Sequence, residues 1–244
     1  MKILITSNSP FSIVNYRLDL IVSILNDGHK VHILIPDSDK VTYLKEKGFI
    51  LHNLKLWRSS INIFKESYTM FAMAKKIISV KPDLILSFTI KNNLYGSIIA
   101  TIMKIPFIPN ITGLGHLFYE PNILAYIIKK ILKVSFKSSP VVFCQNPDDG
   151  SYYKKGIVRA NQVSVLPGSG IDLKKFYPSK NIIKKENLKF IKISRLLINK
   201  GIYEYLNAVR EIKKIYPNHS FYLLGPLDLY GASALTEKQL EDIK

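Results

Sequence analysis

The stretch KILITSNSPFSIVNYRLDLIVSILNDGHKVHILIP, residues 2–36, decides the fold class. Short apolar runs at residues 3–5 and 31–35 have the length and composition of buried strands. Between them, apolar residues recur at helical spacing: Val14, Leu18, Ile21 and Leu25. Gly28 then stands where a helix would end. The stretch therefore predicts a strand, a helix and a second strand.

The same alternation continues along most of the chain. Further short apolar runs occur at residues 49–54, 84–88, 107–111, 141–144 and 163–166. In the run QNPDD that follows residue 144, Asn146 and Pro147 suit the cap and first position of a helix. Strands that alternate with helices predict an α/β fold with a mostly parallel sheet, Rossmann-like and covered on both faces.

Residues 168–187 are rich in Gly, Pro and Lys and lose this periodicity, which predicts a linker after a first domain at 1–167. Residues 188–244 then predict one strand, a helix at about 202–215 and a strand at 221–224. That is a single βαβ unit, whereas a complete domain of this kind needs on the order of 100 to 150 residues. We therefore expect an incomplete second domain, truncated at its carboxyl end.

Composition narrows the function classes. Lys and Arg number 35 against 18 Asp and Glu, a net charge of +17 that favours an anionic partner. The basic residues are spread along the chain without a nucleic-acid motif, so nucleic-acid binding is not expected. One cysteine, Cys144, excludes an intramolecular disulfide and a Cys-rich metal site, and we expect no metal. Neither a dinucleotide fingerprint nor a P-loop is present.

Two basic residues stand where α/β proteins bind anions. Arg195 and Lys200, in the run SRLLINKG, lie between the end of a predicted strand and the start of a helix. Two fixed cations there suit a diphosphate and the charge that grows on a departing nucleotide. An ordinary basic loop is the alternative, and it stays open. Upstream, Gly168 and Gly170 flank Ser169 and allow close backbone approach or positive φ. Because this stretch lies between the two strand–helix alternations, we expect it to form the floor of an interdomain cleft.

The runs PGSGIDLKKFYP, ISRLLINKGIYEYLNA and FYLLGP resemble, in order and spacing, the retaining glycosyltransferases of family 4, which have the GT-B fold. The runs FTIKNNLYGS, NITGLGHLF and QNPDD are similar to the branch that extends lipid-linked oligosaccharides for capsule, O-antigen or protein glycosylation. The resemblance covers essentially the whole chain.

The resemblance implies site residues. On the donor side it places a catalytic pair that binds the diphosphate, Arg195 and Lys200. It also places two donor-binding glycines there, Gly225 and Gly170. On the acceptor side it places Asn15, Arg17, Lys91, Gly113, Gly115 and His116. Because the matching motif ends at Gly115, we favour a polar loop role for His116 over a catalytic one, and both stay open.

The resemblance further implies a UDP-linked N-acetylhexosamine as donor and an undecaprenyl diphosphate-type saccharide as acceptor, with no other cofactor. Relatives also carry two glutamates eight positions apart later in the second domain, and this chain stops before that motif. Two hypotheses follow. The chain is a retaining hexosyltransferase, or it is an inactive truncated fragment that keeps only acceptor or membrane binding.

A basic, apolar stretch at residues 122–139 bears on membranes. It carries lysines 129, 130, 133 and 137 among apolar residues, as interfacial helices do. We favour packing of the apolar residues on the sheet, with the lysines attracting anionic lipid at about 1 kcal/mol each. No run is long enough to span a bilayer. We expect a cytoplasmic protein, peripheral on the inner face of the membrane.

Overall fold

The computed structural model describes residues 1–37, 41–57, 60–114, 118, 122–178, 187–227, 235, 236, 239 and 241. The chain divides into two compact units, Met1–Phe176 (unit 1) and Tyr177–Lys244 (unit 2). The division falls inside the stretch predicted as a linker. Gly115 and His116, two of the predicted acceptor-side residues, lie outside the described residues.

Unit 1 is built on a parallel sheet with strand order β3-β2-β1-β4-β5-β6-β7. Its strands are β1 (Lys2–Thr6), β2 (Lys30–Ile35), β3 (Ile50–Asn53), β4 (Leu84–Phe88), β5 (Phe107–Ile111), β6 (Val142–Cys144) and β7 (Val163–Val165). The chain moves outward from β1 to β3, returns to β4 on the other side of β1, and then moves outward again. The order therefore reverses between β1 and β4, and the predicted parallel α/β class is confirmed.

Helices cover both faces of this sheet. They are α1 (Pro10–Tyr16), α2 (Leu18–Asn26), α3 (Val41–Glu46), α4 (Ile63–Val80), α5 (Ile90–Met103), α6 (Ile123–Ser135) and α7 (Pro147–Lys154). α5 contacts both α4 and α6. The predicted cap is confirmed at α7, where the Asn146 side chain accepts a hydrogen bond from the Asp149 amide (2.8 Å).

Alternate residues of the strands pack into two separate apolar clusters, as expected when successive side chains point to opposite faces of the sheet. Ile3 and Ile5 of β1 pack with the helices α1 to α3, whereas Leu4 packs with α4 to α7. All three are almost completely buried, and each contributes about 1.5 to 3 kcal/mol through burial. Cys144 lies in the Leu4 cluster, where burial first of all raises the pKa of its thiol to about 11.

The segment after β1 differs from its prediction. The apolar spacing from Val14 to Leu25 predicted one helix, but the structure breaks it at Arg17, whose φ and ψ are −132° and −6°. Backbone hydrogen bonding continues across the break, from Arg17 to Ile13 and from Ile21 to Arg17. Because the apolar residues keep helical spacing on both sides, the pattern could not reveal the break.

Unit 2 contains the predicted βαβ unit. β8 (Lys189–Ile193) pairs in parallel with β9 (Ser220–Leu224), and α8 (Ile202–Ile215) connects them. The Phe190 and Phe221 rings stack 5.0 Å apart, and Lys213 of α8 lies over the Phe221 ring. Side chains of the other face are each about half exposed or more: Ile191, Ile193, Tyr222 and Leu224. α8 therefore covers one face of this two-stranded ribbon.

Candidate functional site

Arg17 lies at the carboxyl edge of the unit 1 sheet, near the reversal of strand order, where open α/β sheets bind ligands. The residue is only 7% exposed. The guanidinium carbon stands 4.6 Å from the centroid of the Phe88 ring, at the end of β4. Nη1 donates a hydrogen bond to Ser169 Oγ (2.9 Å). The break between α1 and α2 thus places a cation over the end of β4.

A chain of polar side chains runs from Arg17 along this edge. Ser169 Oγ also accepts a long hydrogen bond from Gln145 Nε2 (3.5 Å), and Gln145 Nε2 donates to Asn110 Oδ1 (3.3 Å). Asn93 Nδ2 donates to the Asn110 carbonyl (3.0 Å). These residues come from four of the runs that carried the family resemblance. The sequence marked the runs, but it did not show that they meet at one place.

Arg17 is held without a carboxylate. It forms no ion pair within the part of the chain that the structure describes, and its buried Nε has no hydrogen-bond partner there. Burial lowers the pKa of the guanidinium from its ordinary value. The positive charge is therefore balanced only by the Phe88 ring and by neutral acceptors.

Thr89, next to Phe88, has a conformation that the sequence did not signal. It is the N-cap of α5, with φ 77° and ψ 150°, a region that residues with a Cβ rarely adopt. Its Oγ1 is buried without a partner, and no side chain caps the helix. Strain of this kind is concentrated at functional sites.

Lys91, predicted to face the acceptor, has three acceptors within the protein. Its Nζ donates to the carbonyls of Trp57 (2.7 Å) and Ser60 (2.6 Å) and to Glu66 Oε1 (2.8 Å). Tyr95 donates its hydroxyl to the other oxygen of Glu66. These bonds use all three ammonium protons, so Lys91 ties α4 and the segment before it to α5. Acceptor contact by Lys91 stays a prediction.

The other predicted acceptor-side residues lie apart from the polar chain. Asn15 is exposed on α1, where its Nδ2 donates to the Phe11 carbonyl (2.9 Å). Gly113 follows β5 with a φ of 144°, and an added Cβ would meet no atom within 4 Å. Among the predicted acceptor-side residues that the structure describes, Arg17 alone belongs to the polar chain.

Arg195 and Lys200 lie in the segment between β8 and α8, as predicted. Backbone hydrogen bonds fold this segment: Leu197 donates to the Arg195 carbonyl (2.8 Å), and Lys200 donates to the Leu197 carbonyl (2.9 Å). Both basic residues are exposed, and Lys200 directly precedes Gly201, the N-cap of α8. The amino terminus of α8 adds partial positive charge to that of the side chains.

Gly225 has a packing role that the sequence did not show. An added Cβ would overlap the carbonyl oxygen of Ser194 and would lie 2.7 Å from its carbon. Ser194 donates to the Leu224 carbonyl (3.1 Å), and Leu196 donates to the Pro226 carbonyl (3.1 Å). Gly225 therefore lets the two strand ends stay together beside Arg195. In unit 1, Gly170 has a φ of 72°, which favours glycine. That Gly225 and Gly170 contact the donor stays a prediction.

The family model for glycosyl transferase 4-like proteins matches residues 2–146, more than half of the chain. The chain belongs to this glycosyl transferase 4-like family. It is 25% identical to a Campylobacter jejuni protein named N,N'-diacetylbacillosaminyl-diphospho-undecaprenol alpha-1,3-N-acetylgalactosaminyltransferase, over 93% of this chain. The chain spans 64% of the length of that relative.

Solved structures of other proteins share the fold of the present chain. A glycosyltransferase from Rickettsia africae has a TM-score of 0.69 at 13% identity, with 100% of this chain and 63% of that chain covered. A UDP-GlcNAc 2-epimerase from Neisseria meningitidis, bound to UDP-GlcNAc, has a TM-score of 0.66 at 16% identity, with 100% and 68% covered. These likenesses confirm the Rossmann-like GT-B fold, and the fold alone does not choose between transferase and epimerase chemistry.

The helical layer of unit 1 that contains α6 has apolar residues on its surface. Ala125 and Leu132 of α6 are buried, but other apolar residues of this helix are 48% to 80% exposed: Ile123, Tyr126, Ile127 and Val134. The expectation that the apolar residues of this stretch pack on the sheet is therefore wrong for that face. Lys130 stands over the Tyr126 ring, 5.2 Å from its centroid.

Neither a membrane-spanning helix nor a cluster of metal ligands occurs in the described ranges. No helix there is long and apolar enough to cross a bilayer. Nor do three or more His, Cys, Asp or Glu side chains gather there as a metal site would need.

Proposed function

We propose that this protein transfers a sugar, an N-acetylhexosamine, from a UDP-linked donor to a lipid-linked saccharide of the undecaprenyl diphosphate type. One observation carries the proposal. Arg195 and Lys200 lie together on the segment that leads from the end of β8 to the amino terminus of α8. That position combines two cations with a helix dipole, which suits the diphosphate of a nucleotide sugar.

The same groups account for catalysis. As the bond from the anomeric carbon to the donor phosphate breaks, negative charge grows on the departing diphosphate, and Arg195 and Lys200 stabilise it. The acceptor hydroxyl attacks from the face that the diphosphate leaves, which retains the anomeric configuration. Its proton passes to the leaving phosphate. Because two side chains supply the positive charge, we expect transfer to persist in the presence of EDTA.

The Campylobacter relative supports the acceptor class, since its name describes transfer to a saccharide on diphospho-undecaprenol. In the present chain we assign acceptor binding to the carboxyl edge of unit 1, around Arg17. We also propose that this transfer serves the assembly of capsule, O-antigen or protein-linked glycans.

We further infer that unit 1 docks on the anionic inner face of the cell membrane through α6 and α4. On α4, Phe64, Tyr68 and Phe71 occupy one helical face at spacings of four and three residues, and each is more than half exposed. α4 and α6 both begin at the carboxyl edge of the sheet and flank α5. Exposed aromatic residues with neighbouring lysines suit a headgroup layer.

Flotation with anionic and neutral liposomes tests this docking. Tyr126→Ser and Phe64→Ser should lower the fraction bound to anionic vesicles. Ile102→Ser is the matched control, because Ile102 is 76% exposed but lies at the other end of the helical layer, in the last turn of α5. Equal flotation of all three variants would contradict the assignment.

Sugar transfer itself is measured with radiolabelled UDP-N-acetylhexosamine and a short-chain prenyl diphosphate saccharide. We expect incorporation that Arg195→Ala abolishes and that Arg210→Ala leaves intact. Arg210 is an exposed arginine of α8 that bonds Asn207 (3.3 Å), so it controls for the lost charge. Acceptor binding without transfer would support the alternative, a protein that only binds the acceptor or the membrane.

A further inference from the structure

Among the residues that the structure describes, the charge of Arg17 has no counter-ion. The residue is more than nine-tenths buried, and among the described residues its Nε has no hydrogen-bond partner and no carboxylate pairs with it. A buried charge without a partner costs stability, and proteins normally keep one only where something anionic meets it. The Phe88 ring and Ser169 Oγ hold the guanidinium in place, but both are neutral.

The site lies at the carboxyl ends of β1 and β4, the neighbouring strands between which the strand order of the unit 1 sheet reverses. Thr6 at the end of β1 donates a hydrogen bond to Ser87 near the end of β4 (2.9 Å), so these strand ends are fixed together. Helices after β1 and after β4 lie on opposite faces of the sheet. The crevice between such strands is the usual ligand position in open parallel sheets.

The amino terminus of α5 contributes to the same place. Its N-cap, Thr89, directly follows Phe88, whose ring lies under the Arg17 guanidinium. This 14-residue helix has no side-chain cap and no acidic residue in its first turn, whereas Asn146 caps α7. The first amides of the helix and its dipole therefore favour negative charge. The backbone of Thr89, with its φ of 77°, is strained at the residue that precedes α5.

From these observations we propose that Arg17 and the amino terminus of α5 form an oxyanion site that binds the diphosphate of the lipid-linked acceptor. The inference rests on the proposed function for the identity of the acceptor. A guanidinium and a row of backbone amides match the oxygens of a diphosphate. The donor carries a diphosphate too, but Arg195 and Lys200 of unit 2 are assigned to it. Unit 1 thus has the groups for a second diphosphate.

The affinities for three ligands, measured at constant ionic strength, show whether the site binds the diphosphate of the acceptor or that of the donor. The probes are farnesyl diphosphate for the acceptor, UDP for the donor and inorganic pyrophosphate for the shared chemistry. Arg17→Met should weaken farnesyl diphosphate by about tenfold or more and should remove one of two pyrophosphate sites, with the site at Arg195 and Lys200 kept. UDP affinity should stay within about twofold of the wild-type value. Arg210→Met, which removes an exposed charge, should leave all three affinities at wild-type values.

Two results would overturn the inference. If Arg17→Met binds farnesyl diphosphate as the wild type does, Arg17 does not meet the acceptor diphosphate. If the variant loses UDP instead, the site belongs to the donor. Either result would remove the acceptor diphosphate from Arg17 but would leave the proposed transfer at Arg195 and Lys200 standing, which fails separately if Arg195→Ala keeps its full UDP affinity.

Stability without ligand gives a second readout. Because Arg17→Met removes a buried, uncompensated charge, the variant without ligand should unfold at an equal or higher urea concentration than the wild type. A lower midpoint would indicate a structural arginine and contradict the proposal. In the wild type, farnesyl diphosphate should shift the NMR resonance of the Arg17 Nε–H group, and an unchanged resonance would also contradict it.

Discussion

The two units both carry cations at the carboxyl ends of their strands, but in opposite surroundings. In unit 1, Arg17 is buried against Phe88 within a seven-stranded sheet that helices cover on both faces. In unit 2, Arg195 and Lys200 are exposed, on a segment of a two-stranded ribbon with one apolar face in solvent.

The contrast shows two ways to present positive charge. The buried cation is preorganised by packing and costs stability until an anion arrives. The exposed cations lose less hydration, so they cost less, and they lie on the segment at residues 194–201. A change that disturbs the backbone should therefore matter most in unit 2, and a change of packing should matter most in unit 1.

The largest effect is expected from Gly225→Ala. The new Cβ would overlap the Ser194 carbonyl, and relief requires the ends of β8 and β9 to separate. We expect a loss of about 3 kcal/mol or more, confined to unit 2. Hydrogen exchange should accelerate at β8 and β9 amides and stay unchanged at β1 and β4. Gly156→Ala is the control, because its Cβ would meet only the flexible Lys129 side chain. Unchanged exchange in Gly225→Ala would contradict this account.

Removal of the exposed cations should weaken the donor without unfolding either unit. Arg195→Ala and Lys200→Ala should each lower UDP affinity by about 10-fold to 100-fold, because each loses a charge-assisted contact with the diphosphate. Calorimetric titration measures the change, and urea midpoints should remain near the wild-type value. A marked fall in the midpoint with UDP affinity kept would reverse the assignment, making these side chains structural.

Packing in unit 1 is tested by Gly96→Ala. The Cβ would stand 2.8 Å from Phe107 Cε2, between α5 and β5. We expect a loss of about 1 to 3 kcal/mol in the free energy of unfolding. UDP affinity should not change, because unit 2 keeps its own fold. Denaturation in urea followed by circular dichroism measures the loss, and equal stability of the variant would show that α5 shifts at no cost.

The smallest effect concerns two histidines of unit 1. His32 Nδ1 and His52 Nε2 are 2.9 Å apart, with the rings stacked. Burial first, and then neighbouring positive charge, lowers the pKa of both imidazoles. The unfolded chain therefore binds more protons. The stability that comes from the neutral pair is complete above about pH 6.5 and is lost as the pH falls through the folded-state values.

Urea midpoints at about pH 7.5 and about pH 5.5 measure this dependence. The loss should amount to less than about 1 kcal/mol, because the rings are only partly buried. His32→Gln should flatten the dependence, while His29→Gln, outside the pair, should keep it. If the urea midpoint of His32→Gln depends on pH as strongly as that of the wild type, other titratable groups cause the dependence.

Much of the fold could be predicted from the sequence, because each strand is a short apolar run bounded by turn residues. Strands β4 and β5 were predicted to the residue. The break at Arg17 could not be predicted, since apolar spacing is equally regular on both sides of it. Nor could the exposed face of α6, because periodicity shows which residues are apolar but not which of them the sheet reaches.

The candidate site shows the same division. The position of Arg195 and Lys200 follows from local order along the chain, between a strand and a helix. The polar chain through Ser169, Gln145 and Asn110 depends on how separate strand ends meet, so no local pattern contains it. The packing role of Gly225 likewise requires the Ser194 carbonyl, thirty-one positions away in the chain, to be seen beside it.

The most direct test of the account is a titration of the isotope-labelled protein with UDP, followed by backbone amide resonances. We expect shifts at residues 194–201 and at Gly225, with the resonances of Arg17 and Thr89 unchanged. Shifts confined to unit 1, or none at Arg195 and Lys200 at saturating UDP, would contradict the claim that unit 2 holds the donor diphosphate.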